Sequence, residues 1–281
     1  MNPPVFRFAP SPNGFLHLGH AHSALLNQKM AIETGGRLLL RIEDIDQTRA
    51  RPEFEAAIFE DLEWLGVEWE TPVRRQSEHF ADYAAGLQRL IGSGLVYPSF
   101  LTRAEAARLA PASSSDPLGV PLHPLAERHL DAAAIEAKKA AAVPFSWRLN
   151  MDMALAASEK NLNWTETSSG HPVTIKADPA AWGDVIIARK DTPTSYHLSV
   201  TMDDALQGVT HVVRGMDLYQ ATAIHRLLQS LLGLPQPCWH HHRLITGADG
   251  AKLAKSAGSP SLRSLRQDGV TATQIRRNFG F

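Results

Sequence analysis

The 281-residue sequence predicts an open α/β fold built on a parallel sheet. Three observations carry this. Apolar, strand-like runs alternate with helical patterns from the N-terminus onward. Glycine and proline punctuate the junctions between them. Polar residues able to do chemistry gather where the strands end, which is where open α/β sheets bind ligands.

"PVFRFAP" reads as a short buried strand ending at a proline, and "HAHSALLNQKMAIETGG" as a helix closed by Gly35 and Gly36. "RLLLRIEDID" is a second apolar strand ending in acids. "PEFEAAIFEDLEWLG" spaces its apolar residues three and four apart and stops at a glycine, which predicts a second helix. After Tyr97 the character changes. "LAPASSSDPLGVPLHP" (109–124) has the composition of a loop, "LDAAAIEAKKAAA" that of a helix and "VPFSWRLN" that of a strand. "WGDVIIARKDTPTSYHLSVTMDD" is expected to be strands again, and "GMDLYQATAIHRLLQSLLG" a helix ending at Gly233. This divides the chain into a first half of the sheet domain (1–97), an inserted α+β domain (98–190), a second half (191–238) and a short C-terminal segment (239–281).

Composition is that of a globular protein, 44% hydrophobic and 20% charged, with a formal net charge of -1. A protein that simply coats nucleic acid would be basic overall. The charge is uneven, however. Nine acids fall within residues 53–82, whereas residues 240–281 carry seven Lys/Arg against Asp249 and Asp268. A single cysteine, Cys238, rules out an internal disulfide framework and a multi-cysteine zinc site. No apolar run reaches signal-peptide or membrane-span length, so the expectation is a cytoplasmic protein without membrane contact.

"HLGH", residues 17–20, stands at the start of the first predicted helix. There the backbone N–H groups favour an anion. Gly19 lets a ring or phosphate approach the backbone, and His17 and His20 can stabilise charge growing on a phosphate. Two surface histidines beside a turn are the bland alternative. "KLAKS" (252–256), in a loop with Gly247, Gly250 and Gly258, offers Lys252 and Lys255 to a polyphosphate; alone, it reads equally as a solvated basic loop. "RIEDID" places Glu43, Asp44 and Asp46 at a strand end. They can take an ammonium or a ribose, or Asp46 or Thr48 can cap the next helix. Arg7 and Arg214 suit a bidentate grip on a carboxylate, or a structural ion pair.

Taken together and in order, "RFAPSPNGFLHLGHAHSALLN", "LLLRIEDIDQTR", "VVRGMDLY" and "KLAKS" resemble the class I aminoacyl-tRNA synthetases, specifically the glutamyl branch. "HLGH" is similar to their HIGH signature and "KLAKS" to KMSKS, with Ala254 in place of the usual serine. The resemblance is good over about 1–97 and 180–258 and weak over 100–180. Only about 25 residues follow Ser256, too few for a helical anticodon-binding region. This length, and Val200 in "YHLSVTMDD", resemble the short glutamyl-queuosine tRNA(Asp) synthetase family.

The resemblance implies a Rossmann-like class I sheet and an ATP-dependent ligase. Such an enzyme activates L-glutamate to glutamyl-adenylate and passes it to the queuosine base in the anticodon of tRNA(Asp). Arg7, Ala9, Ser11, Glu43, Tyr196 and Arg214 are implied to bind glutamate, with Arg7 on the γ-carboxylate. His17, Gly19, His20, Lys252 and Lys255 are implied to bind ATP, with Mg²⁺ shielding the phosphates; the two histidines and two lysines are the catalytic set. The short family often holds zinc through cysteines where Ser99 and Leu101 stand here, so no zinc is expected, and apolar packing is expected to hold the insertion instead. A monomer is expected. Arg263, Arg266, Arg276 and Arg277 can meet tRNA phosphates or form a solvated tail. A different acceptor and a non-catalytic glutamate- or ATP-binding module are the competing readings.

Overall fold

Apolar residues set two strands in motion from the N-terminus. In β1 (Val5–Phe8) and β2 (Arg37–Ile42) the period of two sends Phe6, Phe8, Leu38, Leu40 and Ile42 into one buried core and Val5 and Leu39 towards a second. The computed structural model describes residues 2–110, 114–245 and 260–281. Between the strands runs α1 (Leu18–Glu33), ended by Gly35 at φ 60°. Next come α2 (Pro52–Trp64), with Pro52 in its first turn, β3 (Glu70–Arg75) and α3 (Phe80–Gly92).

The chain continues through β4 (Val96–Ser99), α4 (Arg103–Leu109), α5 (Ala132–Ala140), β5 (Ser146–Leu149), α6 (Met151–Ala157), β6 (Asn163–Glu166), β7 (Val173–Lys176) and β8 (Ile186–Ala188), of which β6 and β7 join the main sheet. It returns with α7 (Tyr196–Leu206), β9 (His211–Gly215), α8 (Thr222–Leu232) and β10 (Cys238–His242), and ends in α9 (Leu262–Gln267) and α10 (Ala272–Phe279).

The main sheet has seven strands in the order β3-β2-β1-β9-β10-β6-β7. Every pairing is parallel except β6–β7. From β1 the chain runs outward through β2 and β3, and later returns on the other side of β1 through β9 and β10. The sheet therefore reverses its winding between β1 and β9, the place where such folds open a crevice. A separate three-stranded antiparallel sheet, β4-β5-β8, forms the heart of the insertion.

Three sequence expectations change here. "YHLSVTMDD" is the helix α7, not a strand. Ser195 caps it by accepting from Leu198 N, and residues 198–204 are all buried. A helix covered on every side shows no apolar stripe, so its sequence hides the helical period. β6 and β7, inside the stretch 98–190, extend the main sheet, as does β10 across the boundary at 238. Neither Asp46 nor Thr48 caps α2; the N-cap is Arg51, without a side-chain bond.

The apolar packing expected of the insertion is present, with Leu149, Met151, Trp182, Ile187 and Ala188 in a buried core, and buried polar bonds add to it. Ser99 Oγ donates to Glu127 Oε2 (2.7 Å) and lies 3.1 Å from His123 Nε2, while the Phe100 and Leu101 N–H groups donate to the same carboxylate. Asp184 accepts from Tyr97 Oη (2.7 Å), Arg128 Nε (2.6 Å) and Met151 N (2.9 Å). Well-paired buried polar groups thus fasten these strands in addition to their apolar packing.

Candidate active site

A cleft of about 580 Å³ opens at the switch point. The turn after β1 (Ala9, Pro10, Ser11, Asn13), the end of β2 (Glu43), the start of α1 (His17, Gly19, His20), the start of α7 (Tyr196) and the ends of β9 and β10 (Arg214, Gly215, His242) line it together with Arg7. Every implied glutamate-binding residue and every implied ATP-binding residue of the first half of the chain is thus in one cavity. Lys252 and Lys255 lie outside the described residues, as does Ala254.

His17 is the N-cap of α1. Its Nδ1 accepts from Gly19 N (3.0 Å), and His20 Nδ1 accepts from His17 N (3.1 Å), a reciprocal capping box built from two histidines. The rings lie 3.9 Å apart. Because both Nδ1 atoms accept, a neutral ring carries its proton on Nε2, a donor suited to phosphate oxygens. A Cβ at Gly19 would stand 2.9 Å from His17 Cε1, so a larger residue there must displace the imidazole.

Beneath the cleft lies a buried ionic network. The strand period that sends Phe6 and Phe8 one way sends Arg7 the other, and Arg41 of β2 likewise, towards α7. Asp204 accepts from Arg7 Nε (3.1 Å) and Arg41 Nη1 (2.8 Å), and Arg41 Nη2 donates to Glu43 Oε1 (3.1 Å). Asp203 is met by Arg74, Gln76 and Tyr83. Burial opposes ionisation of Asp204, yet Arg7 and Arg41 hold its carboxyl below the ordinary range. Burial wins at Glu43, whose pKa rises despite the same two arginines.

Arg214 is different. Its guanidinium donates to His241 Nε2 (3.1 Å), His225 Nδ1 (3.2 Å), Leu218 O (3.0 Å) and Thr222 Oγ1 (2.7 Å). Tyr196 is its remaining hydrogen-bond neighbour. No carboxylate is among these partners, and burial lowers the pKa of the group. Arg7 is a cation already paired, whereas Arg214 is a buried cation whose hydrogen bonds, among the described residues, reach no carboxylate.

The sequence reading missed Arg41, Asp204, His225, His241 and Glu166. Arg41 had a signal, a charge inside the apolar run "LLLRI". Asp204 stood in a segment mistaken for strand. Nothing local marked Glu166. "RIEDID" divides its work: Glu43 faces the cleft, Asp44 accepts from Ser77 N (2.8 Å), and Asp46 accepts from Thr48 and Arg49. Asp46 also reaches Arg189 of the insertion (3.5 Å), across a side pocket of about 210 Å³ that shares Ser11, Glu43 and Tyr196 with the cleft. Of the C-terminal arginines, Arg266 pairs with Glu60 (3.1 Å), Arg276 donates to Leu65 O (2.9 Å) and Arg263 covers the Phe15 ring.

This fold and cleft define an open α/β domain with a binding crevice at its switch point. The family model "tRNA synthetases class I (E and Q), catalytic domain" matches residues 5–278. The chain belongs to this family of glutamate and glutamine class I tRNA synthetases. It is 44% identical to the glutamyl-Q tRNA(Asp) synthetase of Rhodobacter capsulatus, over 98% of this chain and 99% of that protein. Against the glutamate–tRNA ligase 2 of a Methylobacterium species the identity is 39% over 95% of this chain, which spans 57% of that protein. The crystal structure of a glutamate tRNA ligase from Elizabethkingia meningosepticum, in complex with its amino acid, superposes with a TM-score of 0.74 at 25% identity; it covers 96% of this chain and 54% of that one. The methionyl-tRNA synthetase of Mycobacterium tuberculosis, 12% identical with a TM-score of 0.59, shares the fold.

Proposed function

We propose that this protein activates L-glutamate with MgATP and transfers the glutamyl group to the queuosine base in the anticodon of tRNA(Asp). The observation that carries the glutamate half is Arg214, a buried guanidinium in the cleft whose hydrogen bonds go to neutral acceptors. The charge-matched ligand is a carboxylate. Arg214 therefore takes the γ-carboxylate, in preference to Arg7, whose Nε is engaged by Asp204. Glu43 takes the α-ammonium in this reading, and Tyr196, Ser11 and Ala9, which line the same cleft, shape the space between.

In this reading the α-carboxylate oxygen attacks the α-phosphorus of ATP. The bond from that phosphorus to the bridging oxygen breaks and pyrophosphate leaves. The Nε2–H groups of His17 and His20 and the first turn of α1 face the charge that develops there, and Lys252 and Lys255 take the departing phosphates. A hydroxyl of the queuosine cyclopentene ring then attacks the glutamyl carbonyl, loses its proton to solvent, and AMP departs. Mg²⁺ enters this reading with the nucleotide substrate, shielding its phosphates. The acceptor half is supported by likeness to the Rhodobacter relative over nearly the whole of both chains. A monomeric, cytoplasmic enzyme completes the proposal.

Glutamate-dependent ATP–pyrophosphate exchange without tRNA tests the first half. Exchange supports activation, and its absence with or without total tRNA refutes it. Glutamylation of queuosine-containing tRNA(Asp), but not of its unmodified transcript, tests the second half. Charging of a tRNA 3′ end instead would replace the acceptor named here.

A further inference from the structure

Behind Arg214 lies a chain of buried groups that the reaction does not use directly. His241, on β10, has Nδ1 2.6 Å from Glu166 Oε2, and its backbone N–H donates to Glu166 Oε1 at 3.0 Å. Glu166 is the last residue of β6, the neighbouring strand. An arginine can only donate, so the Arg214 Nε–H bond to His241 Nε2 forces that nitrogen to be an acceptor. The proton of His241 is then on Nδ1, donated to Glu166. Thr222 Oγ1, which accepts from Arg214 Nη2, has its own proton to give to His241 Nε2, 3.2 Å away. On the other side His225 Nδ1 accepts from Arg214 Nη1, so its Nε2–H faces His197 Nδ1 at 3.3 Å. Tyr219 meets the His241 ring edge-to-face, 5.0 Å between centroids.

From this geometry we infer that Glu166 and His241 are positioning residues for substrate recognition: Glu166 fixes the His241 tautomer, and the tautomer holds Arg214 Nε so that its guanidinium meets the substrate carboxylate. The inference rests on the reading of Arg214 as the carboxylate-binding residue. Its logic is that of a second layer of hydrogen bonds orienting a first. The carboxylate of Glu166 stays one imidazole away from Arg214. It orients the guanidinium without neutralising it by direct contact, which leaves the cation for the substrate.

Glu166→Gln is the informative change because it keeps size and shape. A glutamine has one acceptor oxygen, and two N–H groups of His241 require one. If that oxygen keeps the backbone N–H, the amide NH₂ faces Nδ1, the imidazole proton moves to Nε2, and two donors oppose each other at Arg214, while the Thr222 hydroxyl can turn to accept.

The first measurement is ¹⁵N NMR of the imidazoles in the wild-type protein. The expected result is His241 protonated at Nδ1 and unprotonated at Nε2; the opposite tautomer overturns the inference without any variant. The second is steady-state exchange kinetics. Glu166→Gln is expected to raise the glutamate KM about tenfold with the ATP KM unchanged, and to add nothing further in a His241→Phe background. Arg214→Ala is the control for the underlying reading. If Arg214→Ala raises the glutamate KM and Glu166→Gln leaves it within about twofold, with the tautomer intact, the positioning role fails alone. If Arg214→Ala leaves the glutamate KM unchanged, the carboxylate reading fails and the positioning role with it.

Discussion

Asp204 accepts a hydrogen bond from Arg7 Nε at 3.1 Å, although 197 positions separate the two residues in sequence. This contact fastens α7 to β1 and so joins the two halves of the sheet domain under the cleft. The same carboxylate holds Arg41, and both arginines are buried. Removing the anion strands them. Asp204→Asn is expected to cost about 3–5 kcal/mol, read from urea denaturation. A loss below about 1 kcal/mol would mean that Glu43 and Asp203 absorb the charge unaided.

Gly19 separates the stability of α1 from its chemistry. Its N–H donates to the capping His17 Nδ1, and a Cβ on it would collide with the His17 ring at 2.9 Å. Gly19→Ala gains about 1 kcal/mol of helix propensity and loses about as much by disturbing the cap. Thermal stability should therefore hardly move. Displacing the His17 donor should lower kcat for pyrophosphate exchange about 10²-fold. Unchanged kcat with an intact fold would remove His17 from the chemistry.

How much of this was legible depended on distance along the chain. "HLGH" revealed its turn and helix because a cap is local: His17, Gly19 and His20 bond to one another. The apolar strands revealed the parallel sheet because their neighbours are helices of ordinary period. The ionic floor was not legible, since Arg41, Asp204 and Arg7 meet only after the chain has wound through the insertion. Glu166 is the extreme case: its strand lies in the segment of weakest resemblance, and its partner His241 is 75 residues away. Helix α7 was misread because burial on all sides removed the pattern that identifies helices.

The insertion should be acid-sensitive. Burial, and then the charge of Arg148, depress the pKa of His123 from 6.5 to about 4, against the pull of Glu127 and Asp184. Unfolded, the same ring titrates near 6.5. Its neutral folded state contributes stability that is fully present above pH 6.5 and is lost as pH falls towards 4, on the order of 2–3 kcal/mol. His123→Gln should flatten the stability profile across that window. A profile identical to wild type would show that His123 is not desolvated as its surroundings require. Asp184→Asn should weaken the same region at neutral pH by about 3–5 kcal/mol, because the carboxylate serves Tyr97, Arg128 and Met151 at once.

Asp61 gives the opposite sign. It sits on α2 with both carboxylate oxygens buried and without a hydrogen-bond partner among the described residues. The nearest cation, Arg266, is 3.8 Å away and shared with Glu60. Burial raises the Asp61 pKa from 3.8 to about 6, with Arg266 opposing it. A carboxyl whose folded pKa is raised stabilises fully below pH 3.8, and that contribution disappears as pH rises through 6. Above pH 6 the folded protein must hold a poorly solvated charge. Asp61→Asn removes that charge while keeping the shape, so the variant should be more stable than wild type at pH 8, by about 1–2 kcal/mol. The gain should vanish at pH 4, where the wild-type residue is protonated in the folded state. Chemical denaturation of both proteins at the two pH values decides the matter. A destabilised variant at pH 8 would mean that the ionised carboxylate is held by Arg266 strongly enough to outweigh its burial.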